Sequence, residues 1–160
     1  MRPLLITTAV ALIVTILAAS GCNYMRHPTD ATSWGQPTGS LRLGIEPRGD
    51  VVNAFIENRG AVPQRIIARG ITLTIVRQGG GGSGSNEPTT IIDYPVILLD
   101  REETFETLRR GEHIATPINI SKLGPGTYTV TATYRDRPSP QPGNWWVGQL
   151  SAGPITVTVP

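Results

Sequence analysis

The chain has 160 residues, 39% apolar and 16% charged, with 14 basic and 12 acidic side chains for a formal charge of +2. That length bounds it to one domain of ordinary size, and arginines scattered along the chain exclude the clustered basic footprint of a nucleic-acid-binding surface. A single cysteine, Cys22, excludes an internal disulfide, while 18 glycines and 14 prolines predict many turns and few long helices.

At the start of the chain, Arg2, an apolar stretch from Leu4 to Leu17 and the small residues Ala18-Ala19-Ser20-Gly21 form the three parts of an export signal. The run Ala19-Ser20-Gly21-Cys22 resembles the Leu-(Ala/Ser)-(Gly/Ala)-Cys signal of bacterial lipoproteins, with Ala19 where leucine is usual. That resemblance implies cleavage after Gly21 and lipidation of Cys22 with two or three acyl chains such as palmitate. Each buried methylene contributes about 0.8 kcal/mol, so one chain binds marginally and two or three hold the protein on a membrane. Two other readings stand beside this one. Pro3 to Ala19 is 17 residues, the lower limit for an uncleaved spanning helix, and an ordinary secretory signal with an incidental cysteine fits the same pattern. The lipoprotein reading implies a bacterial cell-envelope location. In diderm bacteria, Asn23 stands where an aspartate resembles an inner-membrane retention mark, which favours the outer membrane.

Residues 22–40 are polar and rich in Thr, Pro and Gly with no hydrophobic period, and read as a flexible tether interrupted by Trp34. From residue 41 onward the apolar period becomes two, the mark of half-buried strands. Leu41, Leu43 and Ile45 alternate, and a run from Val51 to Glu57 follows the turn Pro47-Arg48-Gly49-Asp50, so the pair reads as a hairpin. Further strands are expected at Ile71–Ile75, at Ile91–Leu98 with Pro95 marking an edge or bulge, and at Ile114–Ile120. Thr127–Arg135 alternates most clearly, and Trp145–Leu150 and Ile155–Val159 close the chain. Arg101–Arg110 reads as a helical turn or as another strand, and Gln78–Asn86, with its glycine run, as a loop. Seven to eight short strands over residues 41–160 predict a single all-β domain, an antiparallel β-sandwich, with a partly open barrel as the other solution.

The stretch Leu123-Gly124-Pro125-Gly126-Thr127-Tyr128 resembles the entry into a late strand of immunoglobulin-like and fibronectin-type-III-like modules. The resemblance implies an Ig-like sandwich in which the Tyr128 hydroxyl bonds back to the turn as a tyrosine corner. The paired cysteines of antibody domains are missing.

Catalytic and metal chemistry find little footing. His27 and His113 have no third ligand at zinc spacing, no Gly-x-Ser-x-Gly elbow occurs, and the glycine run lacks the Gly-Lys-Ser/Thr ending of a phosphate loop. Asp100, Glu102, Glu103 and Glu106 form an acidic cluster flanked by Arg101, Arg109 and Arg110, which reads as a self-paired solvated loop. Arg48-Gly49-Asp50 spells an adhesion tripeptide in a place where turn chemistry alone calls for Gly and Asp. Neither an enzyme, a cofactor nor a metal is expected. Trp145 and Trp146, beside Tyr134 or Tyr94, are the candidate binding surface: neighbours on a strand point to opposite faces, so one should enter the core and the other face outward. The function expected is a non-catalytic interaction or assembly module, anchored through Cys22 and contacting an envelope protein. The alternative is a domain that binds glycan or cell-wall polymer.

Overall fold

The structure, a computed structural model, describes residues 26–67, 70–78, 90–93, 105–136 and 145–160. Outside these lie the expected signal with Ala19, Ser20 and Gly21, the lipidation candidate Cys22, the glycine run, Tyr94, and Asp100, Glu102 and Glu103.

The described chain is an antiparallel β-sandwich, and its local chemistry dictates the first hairpin. In β1 (Ser33–Trp34), β2 (Leu41–Arg48) and β3 (Val51–Asn58), β2 meets β3 in register Leu41↔Asn58 to Arg48↔Val51. Gly49 at the turn takes φ 61°, the left-handed value a two-residue hairpin needs at its first turn position. Next come β4 (Gln64–Ile67), β5 (Ile71–Arg77), β6 (Thr90–Asp93), β7 (Phe105–Leu108), β8 (His113–Asn119), β9 (Gly126–Asp136) and β10 (Gly148–Val159). One sheet has the order β1-β2-β3-β8, the second β10-β9-β5-β6, and β4 pairs with β7 separately.

Alternation places Leu41, Leu43 and Ile45 of β2 and Val52, Ala54 and Ile56 of β3 in one core with Ile71, Leu73 and Ile75 of β5 and Val130 and Ala132 of β9. Burying each large aliphatic side chain contributes about 1.5–3 kcal/mol relative to leaving it exposed. The Tyr128 hydroxyl donates toward the carbonyl oxygens of Leu123 (2.8 Å) and Gly124 (3.0 Å), while its ring lies in the core. The tyrosine corner expected from the Leu123–Tyr128 stretch is therefore formed.

Three expectations need correction. The described residues hold ten strands, because β1 and β4 were not anticipated, while of the two readings of 101–110 the strand is the one present, at Phe105–Leu108. The separate strands expected at 145–150 and 155–159 are one strand, β10, which begins only at Gly148, leaving Trp145, Trp146 and Val147 outside it, and whose register to β9 shifts between Ala152 and Ile155. The segment read as tether is laid on the sandwich from Arg26 onward: Ser33 and Trp34 pair with Ile45 and Gly44, and Thr38 bridges to Leu41. Its threonines look like linker chemistry, yet Thr29 and Thr32 serve here as turn residues, the Thr29 hydroxyl accepting from Ala31 N–H and the Thr32 hydroxyl from Thr29 N–H. Thr32 N–H bonds the Thr29 carbonyl at 3.0 Å and closes a turn.

Candidate functional site

Of the three residues expected to make a binding surface, two belong to the core. Tyr134 is fully buried, its hydroxyl 3.1 Å from the Ile67 carbonyl and 3.0 Å from Asp136 Oδ2. Burial, with the Asp136 charge and hydrogen bond behind it, pushes the phenol far above its ordinary value of 10.0. Trp146 is buried beside Tyr134, ring centroids 5.9 Å apart, and its indole N–H donates to the Thr38 carbonyl at 3.2 Å. Gly148 makes room for that ring, since a Cβ there would sit 2.9 Å from it. Trp145 is the one that faces outward, half-buried, with the Arg65 guanidinium 4.6 Å from its ring centroid. Main-chain pairing fixes the arrangement: Trp145 bridges Arg65, and Trp146 N–H bonds the Arg65 carbonyl at 3.1 Å.

A second arrangement covers the outer face of the β1-β2-β3-β8 sheet. Cross-strand rows there are Arg42–Glu57–His113, Gly44–Phe55–Ala115 and Glu46–Asn53–Pro117. Residues 26–38 form a strap over them. Trp34 lies above Gly44, where a Cβ would come within 2.5 Å of the indole, and is tilted against Phe55 at 6.4 Å. The Arg42 guanidinium sits 3.8 Å over the Trp34 ring and also pairs with Glu57. His113 contacts Phe55 and His27 edge-on, and its Nε2 lies 3.3 Å from the Arg26 carbonyl.

The strap is fastened by a buried carboxylate. Glu46 accepts hydrogen bonds from Thr29 N–H (3.1 Å), the Thr32 hydroxyl (2.9 Å) and Arg48 Nε (2.8 Å). Burial alone would raise its pKa, and the bonds from Arg48, Thr32 and Thr29 outweigh it, holding the carboxyl below its ordinary value. Beside it, the fully buried Asn53 accepts from Arg26 at 2.8 Å through Oδ1, and its Nδ2 has no partner among the described residues.

The third feature is the pole where β3 ends and β8 begins. Asn58, fully buried at an inward position, donates through Nδ2 to the carbonyls of Val62 and Leu108, both at 2.9 Å, and accepts from Gly60 N–H at 2.8 Å. Its backbone bonds Glu112 and Gly111. One amide thus knits the turn 59–63 to the turn 109–112 and holds Arg59, Val62, Arg109 and Arg110 out in solvent. Val147, the residue after the tryptophan pair, is exposed at the same pole.

No family profile, curated protein or solved structure matches this chain.

Among the described residues, no three His, Cys, Asp or Glu side chains stand together as metal ligands. What these surfaces offer is contact chemistry: an Arg-stacked tryptophan, exposed valines and cationic turns. The signal that finds the pole in the sequence is Asn58 itself, an amide in phase with the core residues Val52, Ala54 and Ile56, where only a side chain with internal partners is tolerated.

Proposed function

We propose that this chain is a bacterial envelope lipoprotein, anchored through Cys22, whose Ig-like sandwich is a non-catalytic module that contacts another envelope protein. The observation that carries the reading is the Trp145–Arg65 pair beside Val147, which is 53% exposed. Trp and Arg are the residue types that dominate binding hot spots, and stacking of the Arg65 guanidinium on the Trp145 ring already orders both side chains before contact. The anchor rests on the resemblance of Ala19-Ser20-Gly21-Cys22 to a lipoprotein signal. Its outer-membrane destination rests on Asn23.

A glycan-binding domain for cell-wall polymer is the second reading, favoured by the same outward indole. Sugar stacking uses an open aromatic face, and Arg65 already lies over one face of Trp145. A protein partner is therefore the better fit.

Pulldown of the detergent-solubilised full-length protein tests this. The expected result is a specific envelope protein whose recovery falls more than tenfold with Trp145→Ala, a loss of about 1.4 kcal/mol or more. Unchanged recovery places the contact elsewhere, and quenching of tryptophan fluorescence by wall fragments in place of a protein partner selects the glycan reading. Mass spectrometry of the mature N-terminus checks the anchor independently.

A further inference from the structure

The strap changes what the lipid anchor does. If residues 22–40 were a free linker, the sandwich would tumble at the end of it. Instead the chain is fixed from Arg26, whose side chain holds Asn53 and whose carbonyl lies by His113, the first residue of β8. Four residue steps separate Cys22 from Arg26, and a fully extended chain spans at most about 3.6 Å per step, or about 14 Å. The lipidated residue therefore stays close to the start of β8.

The surface at that end suits a bilayer. Val62 and Val147 are the two exposed large apolar side chains among the described residues, and both are at this pole. Around Val62, the turns knitted by Asn58 present Arg59, Arg109 and Arg110, all exposed, against one exposed acid, Glu112. The opposite pole, at the Gly49 hairpin and the turn after β8, carries exposed Arg48, Asp50, Arg77 and Lys122 and no exposed large apolar group among the described residues, so what sets the first pole apart is its two valines and its nearness to the anchor.

We infer that this pole docks on the anionic phospholipid surface beside the anchor, with Val62 at the headgroup boundary and the three arginines on phosphates. The sandwich is then mounted at a fixed angle, and the partner that Trp145 meets lies at the bilayer surface. This inference rests on the lipoprotein reading and adds an orientation to it.

The test uses the full-length lipidated protein in vesicles containing phosphatidylglycerol, with an environment-sensitive fluorophore on Val62→Cys or, at the far half of β10, Thr156→Cys, and quencher-labelled lipids. Quenching several-fold stronger at position 62 than at 156 is expected. Replacing Arg59, Arg109 and Arg110 with glutamine should lower the docked-to-undocked ratio about fivefold per arginine, and Trp34→Ala, which loosens the strap, should bring the two sites together. Equal quenching in protein that remains anchored overturns the docking. An unacylated Cys22 by mass overturns the anchor itself, and the docking with it.

Discussion

The two sheets of the sandwich present similar apolar faces to each other and opposite chemistry outward. On the outer face of β5, β9 and β10 stand Thr72 and Thr74, Thr127, Thr129, Thr131 and Thr133, and Thr156 and Thr158, half-buried or exposed. On the outer face of β2 and β3 stand Gly44, Glu46, Asn53 and Phe55, every one of them buried. The difference comes from what lies above. Threonine suits an open face because its branched Cβ favours strand geometry while its hydroxyl stays in water. A glycine opposite a phenylalanine, in the same row as a tryptophan that belongs to another segment, is the signature of a roof.

The sharpest way to break this contrast is to remove the roof. Trp34→Ala deletes the ring that covers Gly44 and Phe55, and since full burial of such a ring is worth about 3–5 kcal/mol, the half-buried Trp34 should cost about 2–3 kcal/mol in urea unfolding. Gly44→Val attacks the same contact from below and should release the strap, with proteolytic cleavage appearing between residues 26 and 38. Loss of stability without new cleavage would show that the strap is held by its polar bonds and not by the ring.

A smaller effect isolates the polar fastening. The Glu46 carboxyl lies below its ordinary value near 4.5 in the folded protein, so its contribution is fully present above that value and is lost as pH falls through the folded pKa. Stability should therefore decline from about pH 4.5 downward, and the decline should be shallower in Glu46→Gln. Equal slopes in the two proteins would mean that other carboxylates control acid unfolding.

Much of the inner architecture was legible because alternation in 41–45, 71–75 and 127–135 is strict, the 51–57 run follows a turn that pairs it with 41–45, and the Leu123–Tyr128 stretch dictates a corner whose hydroxyl bond is local. The strap was not legible. Its one strand, Ser33–Trp34, is too short to carry a period, and its fastening depends on Glu46 and Asn53, which in a single sequence look like the polar side of a half-exposed strand. The tryptophan pair divided as expected, with Trp146 inside and Trp145 half-buried, but not by strand alternation, since both precede β10 and are set by pairing with Arg65. Tyr134 was misplaced as surface, although it continues the inward series Tyr128, Val130 and Ala132.

The smallest expected effect defines the other half of the comparison. Thr131 is half-buried at the centre of the threonine face, paired with Thr74 of β5, and on the β10 side it meets the register shift after Ala152. Valine has nearly the same shape and a strand preference at least as strong, so replacing a hydroxyl that faces water should leave stability within about 0.5 kcal/mol. A loss well beyond that would mean the hydroxyl is desolvated by something lying over this sheet as the strap lies over the other. The two faces would then differ in the identity of their cover and not in having one.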